Sequence, residues 1–238
     1  LTNSIDAILM RKCLEASVDP KSATAPRTIE QALDRFFPNH KNWDLSQAKN
    51  EQARDIQVLA DSYPNDTSNT SLIIYDNGEG QHPNDFEDTF LSLIRGNKNE
   101  IHFVHGKYNM GGSGAINFCG KRRYQLIASK RFDGSGKFGF TLVRKHPLTN
   151  DEASVKKSTW YEYLIINGCI PSFEIQELDL GLDDRKFKTG TIFKLYSYEL
   201  KGNRNIRRDL SRSLNEFLYE PALPISVIEK KERYPNDR

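Results

Sequence analysis

The chain has 238 residues, of which 37% are hydrophobic and 28% charged, with a mean hydropathy of −0.66. This length suffices for one large domain that buries about 70–75% of its unfolded surface. No apolar run approaches the ~20 residues that a membrane span needs, so we expect no membrane partner. The 34 Lys and Arg residues against 32 Asp and Glu residues leave a net charge of +2, which argues against a nucleic-acid surface over the whole domain. The three scattered cysteines are typical of reduced thiols in the cytoplasm.

An amphipathic helix is predicted at the start of the chain. Apolar residues at helical spacing form one face, namely Ile5, Ile8, Leu9 and Cys13. A second face adjoins the first and holds residues at positions i, i+3, i+4 and i+7, namely Asn3, Asp6, Ala7 and Met10. Such a face is typical of a solvated helix start or of the wall of a site, and the helix taken alone favours the former.

Residues 17–54 are interpreted as a helical insertion that packs against the main body. Thr28-Ile29-Glu30-Gln31 has the spacing of a capping box and predicts a short helix that ends near 36–37. A second polar helix is predicted over 46–54.

From residue 55 the pattern becomes that of a sheet with helices around it. Asn84 or Asp85 is predicted to cap a helix that ends at Gly96, and a final amphipathic helix is predicted over 206–219. Turns are predicted at 63–67 and 133–136. Strands are predicted over 56–60, 71–75, 123–131, 137–146, 158–167, 191–198 and 225–229. This order of elements predicts an α+β fold.

The strongest local motif is Asp76-Asn77-Gly78-Glu79-Gly80, which directly follows a predicted buried strand. An Asp at the end of a strand can accept a hydrogen bond from an exocyclic amine, and the glycines let a flat ligand approach the backbone. Asp-Asn-Gly is also an ordinary hairpin sequence. The motif alone therefore leaves a turn and a ligand site both open.

Residues 106–114 contain four glycines and run into a predicted helix start at 115–118. Free backbone N–H groups beside a helix N-terminus can cradle phosphates. Lys107 precedes the glycine cluster instead of closing it, so the segment does not match the Walker pattern, and no Rossmann unit surrounds it. By itself the segment is equally typical of a flexible loop.

A third segment, Lys188-Thr189-Gly190-Thr191, leads into a predicted strand. A threonine hydroxyl at the start of a strand can contact a ligand directly or through water. Taken alone, the segment is only a turn before a β-branched strand.

The order of these segments resembles the GHKL superfamily, which includes the gyrase B subunit, Hsp-class chaperones, sensor histidine kinases, MutL proteins and MORC ATPases. The shared order is a helix with Asn-Ser-x-Asp-Ala, a strand followed by Asp-Asn-Gly-x-Gly, a glycine-rich lid and a Gly-Thr strand, over about residues 1–200. The lid is most similar to those of bacterial MORC-like or chaperone-like proteins.

The resemblance implies a Bergerat fold, which is a two-layer α/β sandwich with a mostly antiparallel mixed sheet covered by helices on one face. It implies an ATP-binding domain over residues 1–228, including the insertion at 17–54. Residues 229–238 are then a charged tail or the start of a linker to a further domain.

The resemblance also assigns roles to individual residues. It implies that Asn3 coordinates a Mg²⁺ ion bound to the triphosphate, that Asp76 accepts a hydrogen bond from the adenine amino group, and that Thr191 supports that contact. The other residues that it assigns to the nucleotide lie around the base, the sugar or the phosphates, or in the lid: Asp6, Ala7, Met10, Gly78, Gly80, Lys107, Met110, Gly111, Gly112, Ser113 and Gly114.

The implied function is Mg²⁺-dependent ATP hydrolysis that drives a conformational or dimerisation switch in a larger protein. The superfamily's general base is a glutamate four residues before the asparagine, which places it upstream of Leu1. The implied partners are ATP, a second copy in an ATP-dependent homodimer, and further domains or a client protein.

Three alternatives stay open. A histidine-kinase-like domain would transfer phosphate to a protein, and a sensor would bind ATP without catalysis. DNA contact is a third alternative with weak support, because the basic runs at 121–123 and 201–212 are more typical of solvated surfaces.

Overall fold

The computed structural model describes residues 1–45, 47–61, 70–92, 98–106, 114–199, 210–213, 216 and 221–230. Within these ranges the α-helices are α1 (Thr2–Glu15), α2 (Ile29–Phe36), α3 (Gln47–Ala53) and α4 (Asn150–Val155). The strands are β1 (Ile56–Asp61), β2 (Ser71–Asp76), β3 (Gln125–Lys130), β4 (Phe138–Lys145), β5 (Tyr161–Tyr163), β6 (Ser172–Phe173), β7 (Gly190–Leu195) and β8 (Ser226–Glu229). Within the same ranges, every helix is too short or too polar to cross a membrane.

The strands form one eight-stranded sheet in the order β5-β4-β3-β7-β2-β1-β8, and β6 pairs with β4 beside this path. The β1–β8 pair is parallel and the other pairs are antiparallel. Thr191 of β7 is opposite Asp76 of β2 on one side and opposite Ser129 of β3 on the other. Because facing residues of neighbouring strands point to the same side of a sheet, these three side chains form a row. Helices combined with a mixed sheet confirm the predicted α+β class.

The predicted apolar stripe anchors α1. Ile8, Leu9 and Cys13 are at most 1% exposed, and they lie in a core that also contains Ile56 of β1 and Phe103. Burial of each large side chain contributes about 1.5–3 kcal/mol. With the stripe buried, helical geometry leaves the second predicted face free to border a neighbouring space, and α1 also contacts β2.

The start of α2 largely follows its predicted capping box. The Thr28 hydroxyl accepts the Gln31 N–H at 3.1 Å. The Gln31 side chain accepts the N–H of Arg27, at 2.8 Å, rather than that of Thr28. α2 ends at Phe36, as predicted, and its Ala32 packs in the same core as α1. α3 confirms the second predicted helix of this region.

Most predicted strands are confirmed, as β1, β2, β3, β4, β7 and β8. The strand predicted over 158–167 is limited to the three residues of β5. A turn at 133–136 joins β3 and β4 as predicted, and its Gly134 and Gly136 have φ angles of 75° and 69°. The turn predicted at 63–67 lies outside the described residues.

The helix predicted from Asn84 or Asp85 to Gly96 is wrong over its described part. Pro83–Asp85 form a 3₁₀ turn, and residues 86–90 continue as turns. Phe86 is fully buried and packs with Phe90 and with Ile127 of β3. Packing of this one side chain therefore overrides the weak helix propensity of the Asp- and Thr-containing segment. Residues 93–97 lie outside the described ranges.

Short elements that were not predicted include α4 and β6. α4 begins with a complete capping box between Thr149 and Glu152, so a sequence signal for it exists. β6 has two residues, which is too short for an alternating pattern to be visible. The predicted final helix is helical at its described residues, 210–213 and 216, and Glu229 is the buried last residue of β8 rather than part of a tail.

Candidate functional site

A cavity of about 750 Å³ lies against α1 and the strands β2, β3 and β7, and we call it the central cavity. Its volume is within the range of small-molecule sites. Six of the residues that the resemblance assigns to the nucleotide line it: Asn3, Ala7, Met10, Asp76, Gly80 and Thr191. Three are described but do not line it: Asp6, Gly78 and Gly114. Five lie outside the described residues: Lys107, Met110, Gly111, Gly112 and Ser113.

Asp76 is a buried acid at the end of β2, and only 5% of the residue is exposed. Its carboxylate accepts the Gly78 N–H at 3.2 Å and a hydrogen bond from the Ser4 side chain. Burial is the largest influence on this group and raises its pKa to about 7, although the two hydrogen bonds and the nearby Lys98 act in the opposite direction. A buried carboxylate with so few donors favours a ligand that brings a hydrogen-bond donor.

Thr191 lies beside Asp76 in the row across the sheet. Its hydroxyl oxygen is 3.0 Å from the Ser129 hydroxyl oxygen, which belongs to a fully buried residue. Gly190, just before it, has a φ of +101°, and a Cβ there would overlap the Asp76 carbonyl. Only glycine therefore allows β7 to start so close to the end of β2. Thr191 was predicted, whereas Ser129 was missed because only the strand register shows that the two are neighbours.

The glycines that follow β2 shape the backbone of the turn. Gly80 has a φ of +62°, and a Cβ there would overlap the Lys130 carbonyl. Gly78 lies so close to Ala7 that a Cβ would overlap the Ala7 side chain. Gly78 allows the turn to pack on α1, where the Glu79 N–H donates to the Ala7 carbonyl at 3.0 Å. That Gly78 also lets the base approach the backbone stays a prediction.

A polar network outside the lining of the central cavity holds the same turn. The Arg11 guanidinium donates to the Asn77 carbonyl at 3.1 Å and to the Asn77 side-chain oxygen at 2.6 Å. The Asn77 amide donates to Asp55 Oδ1 at 3.0 Å, and the same oxygen accepts from Arg185 at 2.9 Å. We call these four residues the Asp55 network. It joins α1, the residue before β1 and the segment before β7 to the turn after β2.

Asp6 has a structural role at the start of the glycine-rich segment. It is fully buried, and its carboxylate accepts the N–H of His105 at 3.0 Å and that of Gly106 at 2.6 Å. These charge-assisted bonds occupy the carboxylate, and Asp6 does not line the central cavity. Asp6 therefore anchors the start of the glycine-rich segment to α1, and its assignment to the nucleotide stays a prediction.

Asn3 lines the cavity next to this anchor. Gly106 is so close that a Cβ there would overlap Asn3 Oδ1, so a larger residue at 106 would displace the amide. Among the described residues, the Asn3 side chain has no hydrogen-bond partner. Asn3 therefore borders both the central cavity and the backbone at residue 106.

Charged residues that were not predicted also line the central cavity: Asp19, Lys21, Glu79, Lys98 and Arg131. Burial raises the pKa of Glu79, and Lys98 and Arg131 oppose that shift. Arg131 Nη1 is 3.8 Å from Glu79 Oε2, and Arg131 Nε is buried without a partner within the described part of the chain. Glu79 lies inside a recognised motif, but nothing local in the sequence distinguishes Arg131 from other basic residues.

Apolar side chains form much of the remaining lining, including Ile74 of β2, Phe193 and Leu195 of β7, and Phe90. Apolar walls beside a carboxylate suit a flat ring that carries an amino group. Within the described ranges, no three His, Cys, Asp or Glu side chains are arranged to hold a metal ion. A Mg²⁺ ion that is held mainly by phosphate oxygens and water needs only one or two protein ligands.

The glycine-rich segment is described only at its two ends. After it, residues 114–115 are helical and Ile116–Phe118 form a 3₁₀ turn, so the predicted helix start is about one turn long. Gly114 is exposed, and a Cβ there would meet no atom within 4 Å.

The chain matches no protein-family model and no curated protein, so its function is inferred from the residues of the central cavity.

Proposed function

We propose that this chain is a nucleotide-binding domain that binds ATP with Mg²⁺ in the central cavity and hydrolyses it, as the motor of a conformational or dimerisation switch in a larger protein. The observation that carries the proposal is the position of Asp76, a buried carboxylate that lines the cavity beside Thr191. When ionised, this group can accept a hydrogen bond from the 6-amino group of adenine.

Other residues of the lining support the same ligand. Ile74 and Phe193 offer apolar surface to a purine ring, and Lys98 and Arg131 bring positive charge for an anionic ligand. The proposal includes a two-layer α/β sandwich of the Bergerat type. The packing of α1 against β2 and the mostly antiparallel sheet support that fold.

Asn3 is the residue that we propose to hold Mg²⁺, through its amide oxygen. The bound ion would neutralise part of the charge on the triphosphate. The chain's own contribution is to place that oxygen: α1 carries Asn3 at the cavity, and Gly106 leaves room for the amide. Asp6 holds the backbone of 105–106 beside it.

The proposed reaction is attack of water on the γ-phosphorus, which yields ADP and inorganic phosphate. We assign the general base to the glutamate expected four residues before Asn3. The glycine-rich segment would donate backbone N–H groups to the phosphates and close over them, and nucleotide binding would favour a homodimer.

Calorimetric titration with a non-hydrolysable ATP analogue and Mg²⁺ tests the proposal. We expect wild-type protein to bind and Asp76→Asn to lose binding by about 100-fold or more, because an amide replaces an acceptor and turns an N–H toward the adenine amino group.

The matched control is Asp61→Asn, the same chemical change at the end of the neighbouring strand β1, where the carboxylate pairs with Lys194 at 2.8 Å. Asp61 does not line the cavity, so affinity should be unchanged in this variant. Equal affinity in wild type and Asp76→Asn would refute the site.

The fate of the γ-phosphate distinguishes hydrolysis from its alternatives. With [γ-³²P]ATP and the full-length protein, we expect labelled free phosphate. Label on the protein would indicate phosphotransfer, and binding without release of phosphate would indicate a sensor.

A further inference from the structure

We propose that Ser129 is a positioning residue for base selection: it holds the hydroxyl hydrogen of Thr191, so that Thr191 presents only acceptors to the central cavity and selects a base with an exocyclic amino group. This inference rests on the proposed function. It concerns a residue that does not line the cavity and that acts only through its neighbour.

The Ser129 hydroxyl lies at the centre of three contacts. It accepts the backbone N–H of Gln81 at 2.9 Å. It lies 2.9 Å from the carbonyl oxygen of Gly190 and 3.0 Å from the hydroxyl oxygen of Thr191. Ser129 is fully buried, so we expect these partners to satisfy its hydrogen-bonding capacity without bulk water.

The directions of these hydrogen bonds follow from the number of protons available. A hydroxyl has one hydrogen to donate and two lone pairs to accept with. The Gly190 carbonyl can only accept, so the Ser129 hydrogen must point to it; otherwise two oxygens would face each other at 2.9 Å with no hydrogen between them. One lone pair of Ser129 takes the Gln81 N–H, and the other takes the Thr191 hydrogen.

Thr191 consequently has no hydrogen left to donate into the cavity. Its lone pairs lie in the same row as the carboxylate of Asp76, because the two residues face each other across β2 and β7. When Asp76 is ionised, as it is at pH 8, this end of the cavity therefore presents acceptors from two neighbouring residues. A 6-amino group brings two hydrogens to such a surface, whereas a 6-oxo group brings a third acceptor and is repelled.

The test compares ADP and IDP by calorimetric titration in the presence of Mg²⁺. IDP has a 6-oxo group in place of the 6-amino group, and its N1 carries a hydrogen that the N1 of ADP lacks. We expect wild-type protein to prefer ADP. In Ser129→Ala the Thr191 hydroxyl can rotate and donate to the 6-oxo group. The ADP-to-IDP affinity ratio should then fall by about tenfold, mainly through tighter IDP binding, which corresponds to about one hydrogen bond.

The affinity ratio separates this effect from general loosening, because a structural defect would weaken both nucleotides together. Thr141→Val is the matched control: it removes another fully buried hydroxyl from the same sheet, one that donates to the Leu164 carbonyl at 2.8 Å, and it should leave the ratio unchanged. Ser129→Cys fills the same space with a weaker hydrogen-bonding group, and should shift the ratio in the same direction if Ser129→Ala does not fold.

The possible outcomes distinguish this inference from the proposed function. If wild-type protein binds neither nucleotide, the proposed function fails. If wild-type protein binds ADP but the folded Ser129 variants keep its ratio, or if wild-type protein prefers IDP, the role of Ser129 is overturned while the nucleotide site stands.

Discussion

At the scale of single residues, Asp76 is the group on which the proposed function most depends. The proposed ligand requires an ionised carboxylate at this position, and burial of that charge destabilises the fold. Burial raises its pKa to about 7, so at neutral pH the folded protein holds a carboxylate close to its titration midpoint. The proposed ligand needs the ionised form, which is the form that burial disfavours. A ligand amino group would supply the donor that the folded protein lacks.

This conflict predicts a pH-dependent stability difference between wild type and Asp76→Asn. The raised pKa means that the folded state holds the proton more tightly than the unfolded state, whose pKa is near 3.8. The associated stabilisation is present at low pH and is lost as the pH rises through about 7. Between pH 5 and pH 8, wild type should therefore lose about 2–3 kcal/mol relative to the ligand-free Asn variant, as measured by urea unfolding.

Other groups, including Glu79, titrate in both proteins and cancel in this difference. A stability difference that stays constant from pH 5 to pH 8 would show that Asp76 is not a buried acid with a raised pKa. In the same pH range, affinity for the adenine nucleotide should rise with pH in wild type.

At the scale of structural elements, the Asp55 network explains how segments far apart in sequence hold one turn. Asp55 immediately precedes β1, Arg11 lies on α1, and Arg185 precedes β7. Each contributes a side chain that reaches the turn after β2 directly or through Asp55. A shift of any one of these elements would therefore move that turn.

We predict that Asp55→Asn weakens binding of the ATP analogue by about 3–10-fold and lowers stability by about 1–2 kcal/mol, because one oxygen of Asp55 accepts from both Asn77 and Arg185. The control is Asp184→Asn, whose carboxylate makes an exposed ion pair with Arg54 at 2.7 Å. Exposed pairs contribute less than about 1 kcal/mol, so both quantities should change little. Unchanged affinity in a folded Asp55→Asn protein would show that the Asp55 network does not position the turn after β2 for nucleotide binding.

The elements also show what sequence patterns can and cannot predict. The apolar stripe of α1 and the mostly apolar runs of β1 and β2 depend on neighbours in the chain, and these elements were predicted. The turn at 83–90 follows the burial of Phe86 against β3, which is a contact that no local pattern contains.

The same limit applies within the site. Asp76 and Thr191 were found through motifs, because each follows or precedes a strand in a recognisable order. Ser129 could not be found in this way, because only the strand register places it opposite Thr191. Asp6 shares a helical face with Asn3, and the periodicity of α1 alone could not distinguish a backbone anchor from a cavity wall.

At the scale of the whole molecule, the central position of β7 creates the site. Because β7 lies between β2 and β3, residues from widely separated parts of the chain meet along one cavity, and α1 borders the same space. The anchor at Asp6 joins α1 to the backbone that leads into the glycine-rich segment.

A crystal structure of the protein with a non-hydrolysable ATP analogue and Mg²⁺ tests the central claim most directly. We predict that the adenine 6-amino nitrogen lies about 3 Å from a carboxylate oxygen of Asp76, and that Mg²⁺ is coordinated by the amide oxygen of Asn3. A nucleotide bound outside the central cavity, or one whose base lies away from Asp76, would contradict the account.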